Sequence, residues 1–213
     1  MQRVVLATSN PGKQREFAAL LALLGIELVL QSVLGIGSVE ETGETFADNA
    51  LLKAHHAARL SGLPALADDS GLEVDALGGR PGVRSARYAG ESATDAQNNA
   101  LLLAELADVE PARRTARYRC VLALVRRADD PAPLVAEGSW EGRIALAPAG
   151  TGGFGYDPLF LPGGRDGGVG GGPGHTGGGE VTAAELSAAQ KNAVSHRGLA
   201  LRALVGRIGR GEL

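Results

Sequence analysis

Two adjacent carboxylates, Asp68 and Asp69, close the short apolar run of residues 63–67. A carboxylate pair at the end of a strand suits a hard cation or the activation of a water molecule, because ligands gather at strand ends in open α/β sheets. The same letters also describe an Asp-Asp-Ser-Gly turn with solvated side chains, and the residues alone leave both readings open. Cations are spread along the chain. Lys13 follows Thr8-Ser9-Asn10-Pro11-Gly12, Lys53 lies in an alanine-rich stretch, Arg80, Arg84 and Arg87 share a glycine-broken loop, and Lys191, His196 and Arg197 stand near the C-terminus.

The periodicity of apolar residues predicts the elements that hold these groups. Residues 3–7 read as a first strand and residues 13–24 as a helix with Phe17, Leu20, Leu21 and Leu24 on one face. A small-residue turn between a strand and a helix is a recipe for anion binding, since backbone N–H groups and the helix dipole favour negative charge. It is not a Walker A loop, whose glycines are spaced more widely before Lys-Ser/Thr. Residues 26–30 read as a second strand. Thr45 then caps a helix with Asp48 at its third position, and Lys53 points from that helix to a ligand or to water.

His55 and His56 are adjacent, about 100° apart on a helix, and cannot chelate one metal as an i, i+4 pair does; they read as surface or half-buried. The run 63–67 is predicted to end at Ser70-Gly71. Thr94 with Gln97 signals a capping box for a helix over 95–106. Two strands at 115–125 and 134–144 are joined through the breaker-rich residues 128–133.

Residues 150–155 match G-x-G-x-x-G by letters, but Asp157-Pro158 follows at once and no crossover helix can start there. That loop instead presents Phe154 either as a stacking platform for a planar base or as a core anchor. Residues 163–179 are mostly glycine and read as a flexible loop, whose lone His175 supports no metal site. Thr182 with Glu185 is expected to cap the next helix. Ser195 is expected to open the last one, with Leu201, Leu204, Val205 and Ile208 on its inner face and Lys191, His196 and Arg197 clustered at its start.

The chain has 213 residues, 44% hydrophobic and 21% charged, with a net charge of −3, which fits one globular core and argues against nucleic-acid coating. The single Cys120 sits in an apolar run, cannot form an internal disulfide and reads as a buried strand thiol. No apolar stretch is long enough for a membrane span. A cytoplasmic protein with neither nucleic-acid nor membrane partners is expected.

Taken together, Thr8-Ser-Asn-Pro-Gly-Lys13, Glu41-Thr-Gly-Glu-Thr-Phe46, Asp68-Asp-Ser-Gly71, Phe154-Gly-Tyr-Asp157 and Ser195-His-Arg197 resemble the inosine triphosphate pyrophosphatase family, from residue 1 to about 208. The resemblance implies an elongated, two-lobed α/β fold with a central mixed sheet flanked by helices, the site between the lobes, and a homodimer. It implies one pyrophosphatase domain over 1–213 with a glycine-rich insertion at 163–179. The implied reaction is Mg²⁺-dependent cleavage of ITP, dITP or XTP to a monophosphate and pyrophosphate.

By the same resemblance Asp69 is the proton acceptor and a metal ligand, and Glu41 a second ligand. Thr8, Ser9, Asn10, Pro11, Gly12 and Lys13 form the phosphate turn, while Phe154, Gly155, Tyr156 and Asp157 form the base-binding loop. Ser70, Lys53, Lys191, His196 and Arg197 contact substrate. His196 and Arg197, both donors, suit a 6-oxo group on the purine. Two rival readings are a phosphomonoesterase with an aspartyl nucleophile, whose Asp-x-Asp-x-Thr pattern is absent, and a nucleotide-binding regulator, which has no use for Glu41 with Asp69.

Overall fold

Alternating apolar residues build a mixed six-stranded sheet. The computed structural model describes residues 3–21, 26–163 and 180–210. Its strands are β1 (Arg3–Leu6), β2 (Glu27–Leu30), β3 (Ala65–Val74), β4 (Thr115–Val125), β5 (Leu134–Ile144) and β6 (Phe160–Pro162), in the order β2-β1-β3-β4-β5-β6. β1 runs parallel to both β2 and β3, and β6 antiparallel to β5. Among the described residues five helices flank the sheet: α1 (Pro11–Leu21), α2 (Phe46–Ser61), α3 (Asp95–Glu105), α4 (Ala188–Val194) and α5 (His196–Gly209). No helix among the described residues is long and apolar enough to cross a membrane.

Capping chemistry explains where the helices begin. Thr45 accepts from the Asp48 N–H at 3.1 Å to start α2, and Thr94 with Gln97 forms the full capping box of α3. α1 starts at Pro11 rather than Lys13, since proline fixes a helical φ at a first position whose N–H is not needed. Thr182 and Glu185 do form a capping box, but it closes only the 3₁₀ turn Ala183–Glu185. A second box, Ser187 with Gln190, starts α4.

The largest departure from expectation concerns β3. Ser70-Gly71 does not end the strand: the ladder continues to Val74, because Leu72 and Val74 are fully buried and keep the alternating pattern going. The turn reading of Asp68-Asp69 is therefore wrong, and both aspartates lie in mid-strand. Leu24, in the second half of the helix expected over 13–24, and residues 164–179 of the glycine-rich stretch, with His175, lie outside the described residues.

The chain forms two compact units, and their boundaries cut through β3, β4 and β5. Unit 1 comprises Met1–Ser70, Cys120–Gly138 and His196–Leu213; unit 2 comprises Gly71–Arg119 and Ser139–Ser195. Each has its own core. In unit 1, Leu6, Phe17, Leu66, Leu122 and Leu201 pack together with Cys120, whose thiol burial pushes up to about 12. Val205 and Ile208 of α5 pack against that core as expected. In unit 2, Leu72, Leu102, Tyr118, Trp140, Leu159 and Phe160 form the core. His55 and His56 are half-buried and bond the carbonyls of Ala128 and Gly37.

Candidate active site

Because successive strand residues face opposite ways, β3 sends Asp68 and Asp69 into different surroundings. Asp68 is 1% exposed and meets Lys13 Nζ at 2.9 Å, Arg197 Nη2 at 3.3 Å and the donating Ser70 hydroxyl at 3.2 Å. Arg197 is itself 1% exposed, donates to Ser70 Oγ at 2.9 Å, pairs with Glu16 and lies over the Phe17 ring. Burial opposes ionisation of Asp68, yet Lys13, Arg197 and Lys53 together hold its carboxyl well below the usual range.

Asp69 is held differently. Lys53 Nζ donates to its Oδ1 at 3.0 Å and to Glu41 Oε1 at 2.7 Å, and the Asn49 amide donates to its Oδ2 at 3.2 Å. Burial raises the Asp69 carboxyl above the ordinary aspartate value, against Lys53 and Lys13, and Glu41 adds to the rise. On Lys53 burial works downward, but Asp69, Asp68 and Glu41 outweigh it and the ammonium is stabilised. Neighbouring carboxylates pushed apart in this way divide into a fixed anion and a stronger base.

The turn Thr8 to Gly12 leads into α1. Asn10 Oδ1 accepts from the N–H groups of Gly12 at 2.8 Å and Lys13 at 3.1 Å, capping the helix behind Pro11. The Thr8 hydroxyl accepts from the Asn10 N–H at 3.2 Å, and the Ser9 and Ser38 hydroxyls lie 2.7 Å apart. Two of the N–H groups expected to face an anion are thus satisfied by Asn10. The positive charge of this turn is the Lys13 ammonium, whose side chain keeps 15% of its surface exposed.

In unit 2 one carboxylate organises the glycine loop. Asp157, 2% exposed, accepts from the Phe154 N–H at 2.8 Å, Lys191 Nζ at 2.7 Å and the Tyr118 hydroxyl at 3.3 Å. Lys191 Nζ stands 4.7 Å from the Phe154 ring centroid. Gly153 has φ +73, and a Cβ there would overlap Asp157 Oδ2, so both backbone sign and space require glycine. Gly155 is tied to α3, its N–H donating to Asp95 at 2.6 Å and its carbonyl accepting from Asn99 at 3.0 Å. Tyr156 is buried and its hydroxyl donates to the Ser85 carbonyl. Phe154 is half-buried, and the next element after the loop is the strand β6 and not a helix, in keeping with rejection of a dinucleotide fingerprint.

Comparison with known proteins decides the family. The model of the Ham1 family matches residues 4–207. This chain belongs to the Ham1 family. A curated relative from Shigella flexneri named dITP/XTP pyrophosphatase is 55% identical over 205 residues, spanning 96% of this chain and 97% of its own. One of the same name from Escherichia coli strain K12 is 53% identical over the same shares. Among solved structures, a HAM1 protein from Coxiella burnetii superposes with a TM-score of 0.84 at 45% identity, covering 99% of this chain and all of that one. The Staphylococcus aureus Ham1 protein gives 0.78 at 36% identity, with full coverage of both chains.

Within this Ham1 chain, the residues expected from the motifs fall into two groups. Unit 1 brings together Lys13, Glu41, Lys53, Asp68, Asp69, Ser70 and Arg197, with His196 buried beside Arg197 in α5. Unit 2 holds Phe154, Gly155, Tyr156, Asp157 and Lys191. Lys191 lies in unit 2, where its Nζ donates to Asp157 and stands beside the Phe154 ring. Sequence reading missed Asn49 and Glu16. A signal existed for each: Asn49 lies four residues before Lys53 and Glu16 three after Lys13, so each shares a helix face with a candidate.

The donor set suits a hard divalent cation. Glu41 and Asp69 both reach one ammonium within 3.0 Å, so their oxygens already converge on a single positive charge. Asp68 Oδ1 is buried without a hydrogen-bond partner, a further oxygen acceptor in the same strand. Among the described residues no three Asp, Glu, His or Cys side chains are grouped around a metal position. Two carboxylates, with water and phosphate oxygens filling the remaining positions, match the way Mg²⁺ is usually bound.

Proposed function

We propose that this chain hydrolyses deaminated purine nucleoside triphosphates, ITP, dITP and XTP, between the α and β phosphates, giving the monophosphate and pyrophosphate. The observation that carries the chemistry is the separation of the two adjacent carboxylates. Asp68 is locked by Lys13 and Arg197, whereas Asp69, raised by burial and steadied by Asn49 and Lys53, accepts the proton of the attacking water. As the water oxygen bonds to phosphorus, the anhydride P–O bond breaks and its electron pair leaves on the departing phosphate oxygen. Lys13 and Lys53 balance charge on the phosphate oxygens.

Glu41 and Asp69 would hold a divalent cation, Mg²⁺ in this reading, which supplies further charge neutralisation at the phosphates. On the base side, Phe154 stacks on the purine and the Lys191 ammonium beside its ring donates to a 6-oxo group. Adenine carries an amino group there, which would place donor against donor in a water-poor site. Arg197 acts through Asp68 and Ser70, since its guanidinium is buried among Glu16, Asp68 and Ser70.

We further propose that both units serve one pyrophosphatase domain over residues 1–213, that the enzyme is a homodimer, and that it works in the reducing cytoplasm, where Cys120 stays a thiol. The test is to incubate the protein with ITP and Mg²⁺ and identify the product. Pyrophosphate with IMP supports the reading. Inorganic phosphate alone favours a phosphomonoesterase, and no product favours a binding protein.

A further inference from the structure

One fully buried polar side chain in unit 1 does more than steady Asp69. Asn49, 0% exposed, lies on α2 with Lys53 four residues on and His56 three beyond that, so the three share a helix face. All three grip the segment that carries Glu41. His56 Nε2 donates to the Gly37 carbonyl at 3.1 Å, Lys53 Nζ donates to Glu41 at 2.7 Å, and Asn49 brackets Gly43. The Asn49 carbonyl accepts from the Gly43 N–H at 2.8 Å, while its NH₂ donates to the Gly43 carbonyl at 3.3 Å and to Asp69 Oδ2 at 3.2 Å.

Both amide functions are therefore engaged, and only an amide does this. An aspartate could not donate to the Gly43 carbonyl and would set a second negative charge against Asp69; a leucine would leave the Gly43 groups and Asp69 short of partners. The segment is also fitted to the contact. A Cβ at Gly43 would lie 2.7 Å from Asn49 Oδ1 and 2.6 Å from Asp48 Cβ, closer than real Cβ contacts, so only glycine seats there. Gly43 is two residues from Glu41, and the one amide that fixes Gly43 also fixes Asp69.

We propose that Asn49 is a positioning residue that sets the separation of the Glu41 and Asp69 carboxylates for a divalent cation. The inference rests on the metal-dependent reading of this site and deepens it. Partners that orient metal-binding side chains typically cost ten- to a hundredfold in affinity when removed.

The test is direct titration of the full-length protein with Mn²⁺, without substrate, following unbound Mn²⁺ by electron paramagnetic resonance and folding by thermal melting. Wild type is compared with Asn49→Ala, Gly43→Ala and the double variant. Each single substitution should raise the Mn²⁺ Kd about tenfold or more, and the double variant should be no worse than the weaker single one, because both break one coupling. Should Asn49→Ala fail to fold, Gly43→Ala alone decides, since it removes no side chain of the contact. A Kd within twofold of wild type in the folded variants, additive losses in the double variant, or no Mn²⁺ binding by wild type overturns the proposal. ITP cleavage assayed in parallel keeps the two readings apart. Wild type that binds Mn²⁺ without cleaving ITP removes the pyrophosphatase reading alone, and wild type that cleaves ITP while the variants bind Mn²⁺ normally removes the coupling alone.

Discussion

Unit 1 and unit 2 hold their polar groups by different means. In unit 1, Lys13, Glu16, Lys53, Asp68, Asp69 and Arg197 neutralise one another through ion pairs around two adjacent carboxylates. In the glycine loop of unit 2 one buried carboxylate, Asp157, gathers a backbone N–H, an ammonium and a phenol beside the stacked Tyr118–Trp140 pair and the tilted Phe160 ring. On the proposed function, the difference suits what each would meet. A triphosphate with its cation brings several charges, which a set of exchangeable ion pairs can balance. A purine is flat and nearly neutral, and asks for a shaped loop with one well-placed donor.

If that contrast is right, substitutions in unit 1 should cost stability through stranded charge. Arg197→Ala leaves Asp68 and Glu16 without their shared guanidinium, and breaking a buried pair costs about 3–5 kcal/mol. For a chain of this size the melting temperature should fall by roughly 10 °C in a calorimetric scan. A fall of only one or two degrees would mean the network is no stronger than surface pairs. In unit 2, where loss of the buried Lys191–Asp157 pair also costs stability, the effects should in addition appear in substrate choice. Lys191→Met keeps the volume and removes the donor, so kcat/KM for ITP should drop about ten- to a hundredfold, the value for one buried unpaired group, while that for ATP changes little. An unchanged ITP-to-ATP ratio would remove Lys191 from base reading.

The smallest change is expected for Tyr118→Phe, which deletes the hydroxyl, with its 3.3 Å hydrogen bond to Asp157, and keeps the ring packing. A loss of about 1 kcal/mol, seen as a shift of about 2–4 °C in melting, is the result consistent with Lys191 and the Phe154 N–H carrying most of the loop's order.

Local chemistry was readable in the sequence wherever it ended an element. The strands Thr115–Val125 and Leu134–Ile144 were delimited by the breakers between them, and Thr45 with Asp48 marked the start of α2. What failed was length and reach. Ser70-Gly71 looked like a stop, but burial of Leu72 and Val74 carries β3 onward, and the Thr182 box caps only one 3₁₀ turn. Motif resemblance named Asp69, Glu41 and Lys53 as candidates, but not Asn49, whose Asp69 partner is 20 residues away, nor Glu16, which meets Arg197 across 181 residues. Such partners are chosen by the packing of helices on the sheet, which one-dimensional spacing does not encode. The different surroundings of Asp68 and Asp69 were likewise hidden, because they depend on which face of β3 each occupies.

The proposed division of labour between them is the centre of the account, and one paired measurement tests it: kcat and melting temperature for Asp68→Asn and Asp69→Asn, with ITP at saturating Mg²⁺. Asp69→Asn should lower kcat by about 10²–10⁴, the range for loss of a general base, with the melting temperature nearly unchanged, since Lys53 keeps Glu41 as partner. Asp68→Asn should melt several degrees lower, because Lys13 and Arg197 lose their common anion, and should retain the larger share of kcat. The reverse pattern, with Asp69→Asn the less stable protein and Asp68→Asn the less active one, would contradict the assignment of the two carboxylates.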